Sequence, residues 1–484
     1  MAFNYEGLEP SLIWKHFGQI LEIPHCSGHE TELGNYIISQ AKQWGLDWKR
    51  DDVGNVVVSK KASSGNENSP GVILQGHIDM VCEKNSDVEH DFGKDAIQAE
   101  KKDEWVTAKG TTLGSDNGIG VASALALMED DTQIHGPLEF LFTVDEETGL
   151  TGATKIHPDF LQGKILLNLD SEEEGAFTIG CAGGADSEIR FPFKRKEDSE
   201  GELFRLKLTG LRGGHSGLDI DQGRGNALKW LTRMLWQADK TSSFALVGIE
   251  GGNKRNAIPR EALADMYVDP AKFESLQSSF KQSFDDIFNE HKAVEKEAKF
   301  TFEKSDEKMP APLTEDSQKI FLDFLLVLPH GVVSMHPEME GLVETSTNMA
   351  IVNTHPGHAL VVSSTRSSVA SGLEATRNTI AALCEIAGAE INQEEGYPGW
   401  TPNLQSELLR VCKDVYSRTF QKEAEVGAVH AGLECGIIGE KFSGMDMISF
   451  GPTIEHPHSP EERVHVGSVA KFWEFLLAVL KELA

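Results

Sequence analysis

Acidic and imidazole side chains follow several short apolar runs of this chain. Structural zinc sites favour cysteine, whereas a His, Asp and Glu set that leaves positions for water suits a metal that does chemistry. Two metal ions that share a bridging carboxylate, with a general base beside them, can activate water to cleave an amide. The sequence therefore indicates a two-metal hydrolase, with seven candidate residues: His77, Asp79, Asp116, Glu146, Glu147, Asp170 and His458.

The individual residue types suggest different roles within such a site. Asp116 lies between Gly114 and Gly118, where the backbone can approach an ion closely, so we expect it to be the bridge. The alternative is an aspartate that caps the helix after it. Glu146 and Glu147 are adjacent and must point in different directions, so one can bind metal while the other stays free as a base. We assign proton transfer to Glu146 and coordination to Glu147, although the spacing does not fix that order.

Two segments supply candidate histidine ligands, and the sequence identifies the ligand in only one of them. His77-Ile78-Asp79 places two polar side chains on one face of an extended segment, so Asp79 can orient the imidazole of His77. The distal histidine is either His456 or His458, and the spacing of the residues does not choose between them. Two further histidines are poorer candidates for this ligand: His430 and His465.

The elements around these residues predict an α/β fold. Apolar runs of strand length alternate with helical patterns over the first part of the chain, which favours a mainly parallel central sheet. In open α/β sheets, ligands bind beyond the carboxyl ends of the strands. The candidate ligands follow the apolar runs at 72–75, 138–144 and 165–169, as this rule requires.

The length of 484 residues exceeds what one hydrophobic core usually organises. The pattern changes after Gly183-Gly184 and returns near Tyr397-Pro398-Gly399-Trp400. We therefore predict a first domain over 1–184 and 400–484, interrupted by an inserted α+β domain over 185–399. Two strand-strand-helix patterns within the insert suggest two related lobes.

The composition excludes several classes of partner. The chain has 45 Lys and Arg against 76 Asp and Glu, a net charge of −31, which repels nucleic acid and anionic membrane surfaces. No signal peptide or membrane-spanning run is evident. The six cysteines form no CxxC pair, which predicts free thiols and a cytoplasmic protein: Cys26, Cys82, Cys181, Cys384, Cys412 and Cys435.

Several segments, in this order, resemble the co-catalytic zinc peptidase family that includes aminoacylase, carnosinase and peptidase T. The resemblance covers nearly the whole chain and is closest to the aminoacyl-histidine dipeptidase branch. The segments that match the family are 75–81, 113–120, 143–149, 168–170, Gly213-Gly214-His215-Ser216-Gly217, 255–259 and the region of His458. Those that match the branch are 167–175 and 430–436. One departure is His430-Ala431-Gly432-Leu433-Glu434, which replaces the family's usual Gly-Gly-Thr-Asp-like segment.

This resemblance implies two zinc ions, a catalytic domain and a lid domain inserted into it. Carried over by residue, it implies that His77, Asp116 and Asp170 bind one zinc ion and that Asp116, Glu147 and His458 bind the other. It leaves Glu146 as the general base and Asp79 as the residue that orients His77, and it favours His458 over His456. Residues expected to contact a dipeptide substrate are His215, Asn256, Arg366 and Gly432, with Arg366 receiving the substrate carboxylate.

The sequence leaves alternatives open in function, metal and oligomeric state. The same metal centre would serve a deacylase of N-acyl amino acids or a tripeptidase, and the fold could also belong to a non-catalytic metal-dependent binding protein. Cobalt or manganese could replace zinc. The protein could be a homodimer joined through the lid, with His215 acting across the interface, or a monomer whose two lobes form the lid.

Overall fold

The computed structural model describes residues 3–484. Its helices are α1 (Ser11–Ile20), α2 (Thr31–Gln43), α3 (Ser115–Glu129), α4 (Glu146–Gly149), α5 (Thr151–Lys155), α6 (Ala227–Thr241), α7 (Phe273–His291), α8 (Glu315–Val327), α9 (Ala370–Ala387), α10 (Glu407–Phe420), α11 (Glu434–Lys441) and α12 (Val466–Leu483), with a 3-10 turn at Pro270–Lys272. Its strands are β1 (Asp47–Arg50), β2 (Val56–Lys60), β3 (Val72–His77), β4 (Ala99–Lys102), β5 (Trp105–Ala108), β6 (Leu138–Thr143), β7 (Ile165–Asn168), β8 (Ala176–Cys181), β9 (Gly183–Pro192), β10 (Glu202–Thr209), β11 (Gly214–His215), β12 (Ala245–Gly251), β13 (Ala257–Ile258), β14 (Ala262–Val268), β15 (Lys299–Lys304), β16 (Gly331–Met335), β17 (Val343–Thr354), β18 (His358–Ser367), β19 (Glu390–Asn392), β20 (Glu425–Val429), β21 (Asp446–Ser449), β22 (Ile454–Glu455) and β23 (Arg463–His465).

The chain divides into two compact units. The first contains the residues up to Cys181 together with Trp400–Ala428 and Leu433–Ala484, and the second contains Ala182–Gly399 and Val429–Gly432. The division differs from the predicted boundaries at two places. It begins the second unit at Ala182 rather than after 184, and it adds Val429–Gly432, because the amide of Ala182 donates hydrogen bonds to the carbonyls of Val429 and Ala431.

The first unit is built on an eight-stranded sheet in the order β1-β2-β6-β3-β7-β21-β8-β20. The central strands β6, β3, β7 and β21 are parallel, as predicted, while β1, β2 and β8 pair antiparallel. Helix α3 is buried along nearly its whole length and packs between β3 and α1. A helix that is apolar on all sides needs such a position, and its N-terminus is thereby fixed next to the end of β3.

The second unit contains a nine-stranded sheet in which β15-β10-β14-β12-β17-β18-β9-β19 follow one another and β16 pairs with β17. Its paired strands run antiparallel, and α6, α7, α8 and α9 contribute to its separate core. This is the α+β composition predicted for the insert. Both strand-strand-helix segments contribute to this one sheet, and their relation as two lobes stays a prediction.

The prediction of six free thiols is wrong for two cysteines. Cys26 and Cys82 form a disulfide, whereas the other four cysteines are free and buried. The two residues are 56 positions apart, and they meet because Cys26 pairs with Met80 in a parallel bridge. The amide of Met80 also donates to the carbonyl of His25 at 3.1 Å. The sequence carries no sign of this contact, which depends on the path of two loops. Separately, no helix within residues 3–484 is long and apolar enough to cross a membrane.

Candidate metal centre

His77 is the last residue of β3 and Asp79 lies in the loop after it, at the carboxyl end of the parallel strands. Nδ1 of His77 lies 3.3 Å from Oδ1 of Asp79 and 3.0 Å from its carbonyl oxygen. The opposite ring nitrogen, Nε2, faces two other carboxylates: Oδ1 of Asp116 at 3.1 Å and Oδ1 of Asp170 at 3.3 Å. The imidazole is therefore oriented from one side and points its other nitrogen into an acidic cluster.

Asp79 also holds the segment that carries the two glutamates. Its carboxylate accepts hydrogen bonds from the amides of Glu146 at 3.0 Å and Glu147 at 3.1 Å, and from the hydroxyl of Ser27 at 2.7 Å. Glu146 and Glu147 begin the helical turn α4 rather than ending a strand. Asp79 satisfies two free amides of that turn, so it fixes the glutamates as well as His77.

Asp116 lies between the two histidines. Its Oδ1 faces Nε2 of His77, and its Oδ2 lies 3.2 Å from Nε2 of His458, which is also 3.0 Å from Oε2 of Glu147. The cap alternative for Asp116 does not apply, because no backbone amide of the described residues donates to its side chain, whose two oxygens face the histidines. Gly114 has φ of 74°, which permits the turn into α3.

Potential ligand atoms gather into four groups within residues 3–484, and two of these groups share Asp116. His77, Asp116 and Asp170 form one, and Asp116, Glu147 and His458 form the other, with ligand atoms within 4.8 Å of one another in each. Glu146 groups only with His77 and Glu147, which leaves its carboxylate outside both groups that share Asp116. His456 is exposed and joins neither group. The geometry thus distinguishes Glu146 from Glu147 and His456 from His458, two choices that the residue spacing left open.

The pKa values of the acidic and imidazole groups in this cluster differ strongly from their ordinary values. Burial raises the pKa of Asp170 to about 6, against the opposing influence of His77. Hydrogen bonds that the His458 ring donates to Asp116 and Glu147 raise the pKa of His458 to about 11. Although burial opposes it, hydrogen bonding to His458 and His77 lowers the pKa of Asp116. The buried carboxylates therefore favour positive charge beside them, carried by the imidazoles or by a bound cation.

The donor set fits divalent metal ions. Oε1 of Glu147 is buried and has no hydrogen-bond partner among the described residues, although the other oxygen contacts His458. A metal ion would satisfy such an oxygen and would replace the imidazole protons as the compensating charge. Imidazole and carboxylate ligands without thiolate suit zinc, cobalt or manganese in a site open to water.

The predicted substrate contacts all lie in the second unit. Arg366 is 7% exposed and donates to the hydroxyl of Tyr397 at 2.8 Å. Gly432 packs against the same tyrosine, since a Cβ atom there would lie 2.8 Å from its ring. Asn256 is exposed and accepts a hydrogen bond from the amide of Ser216 through its carbonyl at 2.8 Å.

His215 lies in the short strand β11, in the same glycine-rich segment as Ser216. Its Nδ1 accepts hydrogen bonds from the amides of Gly217 at 3.2 Å and Leu218 at 3.0 Å. Burial, together with the nearby charge of Arg366, lowers the pKa of His215 to about 4. The ring is therefore neutral near pH 7 and carries its proton on Nε2, where it can donate.

Two buried glutamates near the site escaped the sequence analysis. Glu434 accepts hydrogen bonds from Gln75 and Thr143, each at 2.6 Å, and burial raises its pKa to about 7. Glu462 is 2% exposed and accepts the amides at the start of α3. In the sequence, a glutamate beside a polar turn has the pattern of a solvated residue. Only its burial in the structure shows that it holds neighbouring groups in place.

Comparison with known proteins agrees with this geometry. The sequence pattern of peptidase family M20/M25/M40 matches residues 73–482. The chain is 42% identical over 477 residues to the cytosol non-specific dipeptidase of Escherichia coli, covering 98% of each chain. The crystal structure of aminoacylhistidine dipeptidase from Vibrio alginolyticus superposes with a TM-score of 0.91 at 41% identity, covering 99% of this chain and 98% of that one. Aminopeptidase PepT from Bacillus cereus, at 14% identity and a TM-score of 0.58 over 98% of this chain and 99% of that one, shares the fold. Because the family pattern spans the residues of both metal-ligand groups, the chain belongs to peptidase family M20/M25/M40.

Proposed function

We propose that this protein is a dinuclear zinc dipeptidase that hydrolyses Xaa-His and other unblocked dipeptides. The observation that carries the proposal is the pair of ligand groups that share Asp116. The names of the Escherichia coli and Vibrio alginolyticus relatives support the substrate class. We assign the lid role to the second unit and, from the name of the Escherichia coli relative, a cytoplasmic location. Association through the lid stays a prediction.

His77, Asp116 and Asp170 would hold one zinc ion, and Asp116, Glu147 and His458 the other. When bound, the zinc pair supplies a Lewis acid that acidifies water and polarises the scissile carbonyl group. Asp79 keeps His77 in the orientation that directs Nε2 towards the ligand group. Asp79 also keeps the amides of Glu146 and Glu147 fixed, so the base and its neighbouring ligand move together.

Glu146 transfers the proton in this proposal. Its carboxylate takes a proton from the attacking water and gives it to the leaving amine, which requires a carboxyl group that can hold a proton between the two steps. Burial raises the pKa of Glu146, against the opposing charge of His77, and so favours that holding role. His215 can donate its Nε2 proton as a hydrogen bond to the carbonyl oxygen as negative charge develops on it.

Arg366 is our candidate for the substrate carboxylate. Within residues 3–484, no carboxylate lies within ion-pair distance of this buried guanidinium, whose partners are the hydroxyls of Tyr397 and Ser216. A buried cation without an anionic partner is costly, and a substrate carboxylate would compensate it. A guanidinium also matches the planar geometry of a carboxylate.

Replacing Arg366 with Gln should raise KM for Ala-His by about 10- to 100-fold, the value of a charge-assisted hydrogen bond. The effect should shrink for Ala-His amide, which lacks the carboxylate. The control is Arg377→Gln, which removes the same charge from the second unit, where Arg377 donates to the carbonyl of Glu394 at 2.6 Å. Equal losses with the acid and the amide would contradict the assignment.

The proposed activity is tested with a substrate panel on the zinc-loaded protein. We expect hydrolysis of Ala-His and β-Ala-His, with lower kcat/KM for N-acetyl amino acids and for tripeptides. Faster turnover of acetylated substrates would indicate the deacylase alternative, and faster turnover of tripeptides would indicate a tripeptidase. Inactivity on every Xaa-His substrate would contradict the proposed specificity.

A further inference from the structure

A single carboxylate joins the two loops that carry Asp116 and His458. Oε2 of Glu462 accepts hydrogen bonds from the amides of Leu113 at 2.7 Å and Gly114 at 3.0 Å. Oε1 accepts from the amide of Ser115 at 2.7 Å, from its hydroxyl at 2.6 Å and from the amide of Asp116 at 3.3 Å. Both oxygens of this buried side chain are thus committed to one short segment.

These amides belong to the turn that leads into the regular part of α3, because the backbone is non-helical at Asp116 and Asn117. Gly114 has no side chain that could accept any of them. Glu462 accepts them from a position 346 residues further along the chain than Asp116. A carboxylate suits this place, because hydrogen bonds from backbone amides to an ionised acceptor are stronger than those between neutral groups. As a result, the Asp116 side chain is free to face both histidines.

The other end of the connection is the loop that carries His458. Glu462 donates its amide to the carbonyl of Ser459 at 3.0 Å, and its own carbonyl accepts from the hydroxyl of Thr107 at 3.0 Å. Strand β23 begins at the next residue and pairs with β22 and β5, so the loop is anchored on both sides. His458 itself is 51% exposed, with φ of 60°, and packing alone does not hold it.

We infer that Glu462 is a positioning residue that sets the separation of Asp116 and His458 and thereby tunes metal binding. The inference rests on the proposed function, since it assumes that these two residues are ligands. Glu462 is tied to both of them, whereas it reaches the group of His77, Asp116 and Asp170 only through Asp116. Loss of Glu462 should therefore weaken the group with His458 more than the other group.

The test is zinc affinity, measured by chelator competition on the full-length protein. In Glu462→Gln the side chain keeps its size, but its amide nitrogen cannot accept a hydrogen bond. The backbone amides that donate to one of the two Glu462 oxygens therefore lose their acceptor. We expect zinc affinity to fall by about 10- to 100-fold at the weaker of two binding phases, the usual effect of losing a residue that orients a ligand. A merely structural role would lower the melting temperature without changing this affinity.

Glu139→Gln is the matched control. Oε2 of Glu139 likewise accepts two backbone amides, those of Gln162 at 2.8 Å and Gly163 at 2.7 Å. Glu139 lies in β6, near the end of the strand opposite to Glu146 and Glu147. The Glu139→Gln protein should therefore bind zinc with the affinity of the wild type. Ser115→Ala is the second variant, because it removes only the hydroxyl bond to Glu462 and spares the fold more than Glu462→Gln does.

The outcomes separate this inference from the proposed function. A folded Glu462→Gln with wild-type zinc affinity overturns the inference and leaves the proposed function standing. If Glu462→Gln does not fold, Ser115→Ala decides: reduced affinity supports the inference and unchanged affinity overturns it. A wild-type protein that binds no zinc would overturn the proposed function, and the inference would fall with it.

Discussion

Replacing Glu146 with Gln should lower kcat by about 10²- to 10⁴-fold, the range for loss of a general acid and base. The change removes the ionisable oxygen but keeps the size of the side chain. The Glu146 amide should still donate to Asp79, because that contact uses the backbone. Since Glu146 lies outside both groups that share Asp116, the variant should retain its zinc. Metal content by mass spectrometry and kcat on Ala-His, measured on the same sample, check both statements.

Two results would contradict this assignment. If Glu146→Gln retains zinc and turns over normally, another group must transfer the proton. If it loses zinc as readily as Glu147→Gln does, Glu146 is a ligand, and the roles of the adjacent glutamates must be exchanged. The second result is a real alternative, because the Glu146 carboxylate also lies within 4.8 Å of ligand atoms of His77 and Glu147.

Replacing Asp116 with Asn should abolish binding of both metal ions and lower kcat/KM by more than about 10³-fold, since the metal contributes several kcal/mol to the reaction. Asp116 is the one residue in both ligand groups, and each of its oxygens faces a different histidine. Asn supplies a single neutral oxygen, so it cannot bridge. Zinc content per chain and turnover of Ala-His provide the measurements.

The control for this prediction is Asp130→Asn, at the opposite end of α3. Asp130 accepts hydrogen bonds from Thr132 and Gln133 in the following loop and faces neither histidine. It should keep zinc and activity, which would show that the helix tolerates loss of an aspartate. An Asp116→Asn protein that retains zinc at both sites would overturn the bridging role.

The residue types and their positions after apolar runs predict much of this site. Parallel strands end at one edge of a sheet, so His77 and Asp170 were expected at the same edge. That β3 and β7 are neighbours is seen only in the structure. The resemblance to a zinc peptidase family separated His458 from His456, which spacing could not do. The geometry favours the same choice, because Nε2 of His458 faces Asp116 and Glu147, whereas His456 belongs to neither group that shares Asp116.

Other features could not be predicted from the sequence. The disulfide between Cys26 and Cys82 depends on two loops that meet through the Cys26 and Met80 bridge. Asp79 and Glu462 hold different segments because their carboxylates accept hydrogen bonds from different backbone amides. A hydrogen bond requires its donor and acceptor to lie within about 3.2 Å of each other, and the spacing of residues in the sequence does not give such distances.

The sequence by itself determined which residues are candidates for the chemistry: an acid and imidazole set without cysteine, placed after strands of an α/β fold. Only the tertiary structure decided how that set is held. Glu462 holds the turn that leads into α3 from the far end of the chain and leaves the Asp116 side chain free, while Asp79 fixes a turn as well as His77. The types and order of the residues identify the possible ligands. Which carboxylate oxygen is free to face a metal ion depends on burial and on the hydrogen bonds that the surrounding groups make.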